Sequence, residues 1–338
     1  MAKTNNVIFY VRGWTERGTE IAIYDYAKYN EEILGNKSFI VHMPLKNEDN
    51  KDVYYKFKSR FGAHEIKDIR DISSVIRYNK INFFHTLTHG NEGKEEKDFY
   101  SFHNKEIWQN CKTIKHCVFK TNCPEGDFHI SISEYLNDKY HTKIPVIPHI
   151  VSTEPVSHEN LRNEYRIPQN AIVIGRYGGY YQFNLEFGVS AVISYLNSEH
   201  ADHNVYFLFM NTKVFAVHKN IIYCNKSIDC GFKAKFVNTC DAMIHARADG
   251  ETFGLAVAEF SVRNKPVITS LTGDLEHVRI LGDKAIIYTN EESLISIFTN
   301  IRNIISSRCD WNAYSYYTPK NIMNLFNEYI FNKFKSIL

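Results

Sequence analysis

Two carboxylates, Glu251 and Glu259, stand eight positions apart in the stretch ARADGETFGLAVAEFSVRNKPVITS, residues 246–270. Between them lies a turn, Phe253-Gly254-Leu255, and after them a short apolar run, PVIT. A helix opening at that turn offers unpaired N–H groups and the positive end of its dipole, a setting suited to a diphosphate. Glu251, just before the turn, can accept hydrogen bonds from sugar hydroxyls. Glu259, two turns along, can take the hydroxyl pair of a ribose. Read on spacing alone, the same residues also suit an amphipathic helix whose glutamates face water. The elements around them have to decide.

Those elements alternate. Short β-branched or aromatic runs are separated by longer amphipathic stretches, which argues for an α/β fold with parallel sheets. Strands are expected at 7–11, 38–43, 81–86, 115–119 and 128–133, and again at 171–175, 205–210, 221–224, 242–245, 266–269 and 285–288. Helices are expected at 17–30, 53–60, 68–79 and 133–140. The proline-bearing run KIPVIPHIVSTEPVSHENL, 143–161, reads as an interdomain linker. Two domains follow, 1–150 and 151–311, with a cleft between them as the place for a ligand. Thr318 is an expected N-cap with Pro319 at the first helical position of a closing helix.

The length of 338 residues exceeds what one core usually grows to. Lys plus Arg is 40 and Asp plus Glu is 38, a net charge of +2, which argues against a nucleic-acid binder that relies on a bulk positive field. No apolar run approaches the roughly 18 residues of a membrane span, and the first residues lack a signal peptide's apolar core. A cytoplasmic protein with seven reduced cysteines is the expectation. Cys111, Cys117 and Cys123, with His103, His116 and His129 nearby, are spaced too widely for the usual structural zinc pairs.

Several ordered motifs together resemble the GT-B glycosyltransferases, specifically the large retaining family 4. The family's E-x-F-G-x4-E motif reads here Glu251-Thr252-Phe253-Gly254 and Glu259, its G-x-P-V-I segment Asn264-Lys265-Pro266-Val267-Ile268, and its G-G-x-x-E segment Thr272-Gly273-Asp274-Leu275-Glu276. Upstream, VIGRYGG (173–179) looks like the strand ending in Gly-Arg, HISISEYL (129–136) and VIPHIV (146–151) stand in family order, and RGWTERGTEIAIYDYA (12–27) looks like the glycine-bearing loop and first helix facing the donor phosphates. The resemblance implies two Rossmann-like domains facing each other across a cleft, with the helix of about 312–338 packing back on the first.

It further implies a sugar transferred with retention from a nucleotide-diphosphate donor to a glycan, lipid, protein or small-molecule acceptor, without a metal or other cofactor. The lack of any D-x-D triplet agrees with a metal-free site. Arg176 would neutralise the diphosphate, helped by the N–H groups of Phe253, Gly254 and Leu255 and by Gly18 and Thr19. Glu251 would bind the transferred sugar and Glu259 the ribose, with Thr252 between them in the donor site.

Two positions depart from the pattern. The lysine usual about five residues after the Gly-Arg arginine is missing from YGGYYQFN (177–184), and Lys226 is the candidate replacement. The family's N-domain histidine is Lys120-Thr121 here, leaving His85 and His103 as alternatives for the sugar contact, though each reads more readily as a core or surface histidine. Tyr10, Tyr24, Tyr26 and Tyr29 could line an acceptor groove or fill the core. A nucleotide-sugar epimerase of the same fold and a non-catalytic nucleotide-sugar binder stay open. A nicotinamide oxidoreductase, the third alternative, would need G-x-G-x-x-G after the first strand, and RGWTERG has the wrong spacing for it.

Overall fold

The first strand shows why the sheets form. Val7, Ile8, Phe9, Tyr10 and Val11 are all buried, and so continuous a β-branched and aromatic run suits a parallel strand covered on both faces. In the computed structural model, which describes residues 4–90, 102, 104–199 and 201–333, the chain divides into two compact units. One comprises Met1–Ile150 and Tyr317–Leu338, the other Val151–Tyr316.

The strands of the first unit are β1 (Asn6–Val11), β2 (Lys37–His42), β3 (His64–Glu65), β4 (Phe83–Thr88), β5 (Lys112–Cys117) and β6 (Phe128–Ser131). They pair in the order β3-β2-β1-β4-β5-β6, all parallel. The second unit holds β7 (Ile172–Tyr177), β8 (Val205–Met210), β9 (Ile221–Cys224), β10 (Ala242–Ile244), a two-residue β11 (Gly250–Glu251), β12 (Val267–Ser270), a two-residue β13 (Asp274–Leu275) and β14 (Ala285–Tyr288). Its main sheet runs β14-β12-β10-β7-β8-β9, also parallel. Counted from each unit's own first strand, the two sheets have one topology, 3-2-1-4-5-6. In such doubly wound sheets ligands bind at the carboxyl ends of the strands where the order reverses, between β1 and β4 and between β7 and β10.

Local chemistry sets the helices that cover these sheets. Asn50, Ser133, Asp229 and Asn290 each accept a backbone N–H at the start of a helix, which satisfies an orphan donor. Thr318 does the same for Pro319–Phe326, with the proline at the first turn as the sequence suggests. The helix begins at 319 rather than 312, because that cap and proline set its start; residues 312–317 precede it. It continues as π-type turns over Asn327–Asn332 and belongs to the first unit. Ile322, Met323, Phe326, Ile330 and Phe331 are all buried there. Phe331 packs edge-on against Phe83 at 4.8 Å, and Phe326 meets Tyr26 at 5.6 Å.

A buried guanidinium anchors the start of the second unit. Arg162 donates to the carbonyls of Pro168, Gln169, Ala171 and Thr239 and to Asp241 Oδ2 at 2.8 Å. The same carboxylate oxygen accepts from Val173 N at 2.8 Å, at the head of β7. Among the described residues no helix is long and apolar enough to cross a membrane.

Candidate functional site in the second unit

Arg176 is the penultimate residue of β7, and β7 pairs with β10 through Ile174↔Ala242 and Gly175↔Met243. The register puts Arg176 at the switch point of the sheet. Only 4% of the residue is exposed, yet its guanidinium has neutral partners: Thr212 Oγ1 at 2.6 Å, Asn211 O at 3.3 Å and Gly179 O at 2.9 Å. Among the described residues no carboxylate forms an ion pair with it. A Cβ on Gly178 would come within 2.9 Å of Nη2, so the glycine makes room for the fork. Burial pulls the pKa down to about 10, while the nearby Glu251 opposes this, and the group stays charged at neutral pH. A buried, oriented cation without a counter-ion is an anion receptor.

Glu251 reaches the same corner by a different device. Gly250 and Glu251 pair with Asp274 and Leu275 as a two-residue ribbon. Gly250 sits at φ 65°, and a Cβ on it would fall 2.1 Å from Asp274 O, so only glycine lets the two backbones approach. The ribbon fixes the carboxylate. Its Oε2 lies 3.1 Å from Arg247 Nη1 and its Oε1 3.4 Å from His245 Nε2. Burial would raise this carboxyl's pKa, but the approach of His245 and the charge of Arg247 outweigh it and hold the value at about 2.

Behind Glu251 runs a buried polar chain. His245 Nδ1 is 3.0 Å from Thr269 Oγ1, which lies 2.9 Å from His277 Nε2. One hydroxyl can donate to one ring and accept from the other. Burial, reinforced by His245, pushes the His277 pKa down to about 3. Tyr288 OH donates to the His245 carbonyl at 2.8 Å and fixes the loop that follows β10.

The remaining candidates fall elsewhere. The helix expected to start at Phe253 starts at Leu255 and runs to Ser261. Gly254 is its cap, at φ 82°, a conformation outside the helix, and Phe253 is buried edge-on against Tyr314. Thr252 is buried beside them. Glu259 is held by Lys233, as described below. Lys226 lies exposed on the turn after β9. Gly18 and Thr19 open the helix Gly18–Glu32 of the first unit. His85 does not face a ligand: it is 1% exposed, its Nε2 3.1 Å from His116 Nδ1, with Phe9, Tyr26 and Phe326 packed about it. β4 is buried along its whole length, so a side chain on either face lies in the core. Tyr10, Tyr26 and Tyr29 are buried too, so these three fill the core and line no groove. His103 lies outside the described residues. Among the described residues no group of three or more His, Cys, Asp or Glu is placed to hold a metal ion.

At the other switch point, the loop after β1 carries Trp14, whose backbone N–H donates to Asp49 Oδ1 at 3.0 Å, and Thr15, whose hydroxyl donates to Glu20 Oε2 at 2.8 Å. Burial pushes the Glu20 carboxyl up from 4.5 to about 7, against the pull of that hydrogen bond and of Arg17.

Two Rossmann-like domains of this topology make the GT-B fold, and solved glycosyltransferases share it over the whole chain. The chain is similar to a glycosyltransferase from Rickettsia africae ESF-5, at 15% identity and TM-score 0.66 over 98% of this chain and 95% of that one. It is similar to HepE from Anabaena in complex with UDP and glucose, at 12% identity and TM-score 0.72 over 98% and 100%. A Listeria monocytogenes chain provisionally described as a UDP-N-acetylglucosamine 2-epimerase also superposes, at 14% identity and TM-score 0.63 over 99% and 97%. The sequence matches no family model and no curated protein.

Proposed function

We propose that this chain is a retaining glycosyltransferase that takes a sugar from a nucleoside-diphosphate donor, without a metal, and that the donor binds in the second unit. The observation that carries the reading is the buried Arg176 guanidinium at the switch point, near Glu251 and without a carboxylate ion pair among the described residues. As the bond from the sugar's C1 to the diphosphate breaks, negative charge grows on the departing phosphate. A pre-oriented guanidinium meets that charge without having to reorganise, which is where electrostatic catalysis is strongest. Glu251, ionised and clamped, accepts hydrogen bonds from hydroxyls of the transferred sugar. The UDP and glucose bound in the structure of HepE support UDP-sugars as the first donors to try.

Thermal unfolding with UDP, GDP, ADP, TDP and CMP tests donor binding. A ligand at 100 times its Kd adds about 2.7 kcal/mol, a shift of several degrees. One diphosphate raising the Tm, followed by release of that diphosphate from its sugar in the presence of an acceptor extract, supports the transferase. No shift with any of them overturns it.

A second reading, an epimerase, is favoured by the Listeria monocytogenes structure alone. It predicts an epimeric sugar nucleotide formed without any acceptor, which nuclear magnetic resonance of the donor distinguishes.

A further inference from the structure

We propose that Arg247 is the second cation of the diphosphate site, filling the place left by the lysine missing from residues 177–184. This rests on the donor site proposed above and names a residue for it that spacing gave no reason to choose.

The topology makes the placement. β7 and β10 flank the switch point, and the register that pairs Gly175 with Met243 sets Ile244 opposite Arg176. Arg247 follows three residues after Ile244, on the loop leaving the carboxyl end of β10. Both guanidinium groups therefore leave neighbouring strand ends at one corner.

The donors of Arg247 are only partly used. Its Nη1 meets Glu251 Oε2 at 3.1 Å, and its Nη2 is 3.7 Å from Asp249 Oδ2, too long for a hydrogen bond. Its Nε is buried and has no hydrogen-bond partner among the described residues. A guanidinium carries five N–H donors, and an enclosed donor left unmade costs about 1–3 kcal/mol. An anion arriving at this corner supplies the acceptor.

Charge points the same way. Among the described residues Arg176 has no ion pair, and the charge of Arg247 adds to the burial that depresses the pKa of Arg176. Asp249 is 76% exposed at the rim, so with Glu251 ionised Arg176 and Arg247 share one enclosed carboxylate, and a diphosphate supplies the further negative charge. Lys233, enclosed over the ring of Tyr177, is engaged with both oxygens of Glu259. Lys226 is exposed beyond β9, at the far edge of the sheet. Arg247 is the better placed of the three.

The test is calorimetry of the full chain with UDP, uridine, GDP and guanosine. For Arg247→Ala we expect diphosphate affinity to fall at least about tenfold, as for loss of one charge-assisted contact, with nucleoside affinity unchanged within about twofold. Arg247→Lys is expected to restore part of the loss, and it serves as the second variant where alanine unfolds the corner. Glu251→Gln separates the cause: it removes the Arg247 ion pair and the enclosed anion, so UDP affinity is expected to be kept or raised, and a loss of UDP affinity would count against Arg247 as a phosphate ligand. Equal weakening of UDP and uridine by Arg247→Ala, or no weakening while Arg176→Ala abolishes UDP binding, overturns this inference alone. A wild-type chain that binds neither UDP nor GDP overturns the donor site along with it.

Discussion

Lys233 closes on Glu259, its Nζ 3.0 Å from one carboxylate oxygen and 2.9 Å from the other, with both side chains about 15% exposed. The same ammonium lies over the ring of Tyr177 at 5.1 Å, one residue past Arg176. The carboxylate expected to meet a ribose is therefore held in place by a partner 26 residues away in sequence. An acceptor-only carboxylate has lone pairs to spare beyond one ammonium, so pairing and ribose binding are compatible. Glu259→Gln is expected to weaken uridine and UDP by the same factor, about tenfold for a charged hydrogen bond lost. Calorimetry that shows no change for either would remove Glu259 from the donor site.

Glu251→Ala is expected to lower turnover at least about 100-fold, as for removal of one well-placed active-site contact, with the fold intact. Because its carboxyl is held at about 2, the pH–rate profile should contain no limb from Glu251 near neutrality. Stability linked to it is complete above about 4.5 and is lost as the pH falls toward 2. Near-normal turnover of the alanine variant counts against the role.

Glu20 carries the opposite sign. Its folded value of about 7 lies above the ordinary 4.5, so the folded state prefers the protonated form. Its contribution to stability is full below 4.5 and is lost as the pH rises through about 7. Glu20→Gln keeps an acceptor for Thr15 and removes the ionisation. We expect it to stabilise the chain at pH 8 by up to about 3 kcal/mol and to be neutral at acid pH. Denaturant melts at both pH values decide it, and equal effects at the two would refute the assignment.

Phe326→Ala takes a fully buried ring from among Tyr26, His85 and Phe331. Loss of such a ring costs about 3–5 kcal/mol. The damage should be confined to the first unit: hydrogen exchange should quicken in β1 and β4 and leave β7 and β10 unchanged.

The sequence is an unequal guide to this architecture. Val205–Met210, Ile221–Cys224 and Ala285–Tyr288 begin and end where their apolar runs do, because polar or turn residues bound them. β4 runs two residues later than its pattern suggests, since Thr86 and Thr88 are buried like their apolar neighbours and polarity no longer marks the end. The two-residue strands β3, β11 and β13 carry no periodicity to read. Arg176 and Glu251 are legible from motif order. His245, Arg247, Thr269 and His277 are not, though a histidine and an arginine just past a buried strand, at a reversal of strand order, are a usable signal. The Lys233–Glu259 pair joins two helices and leaves no trace in either one's spacing.

The first unit is written in two pieces, with all of the second between them. During synthesis, residues 151–316 emerge and can complete their sheet while β1, β4 and the helix Gly18–Glu32 still lack the aromatic and aliphatic side chains of 322–331 that finish their core. Domains usually mature in the order in which they leave the ribosome. Here the domain begun first is finished last, and a nascent chain stalled before residue 317 would present an incompletely covered hydrophobic face to chaperones and proteases.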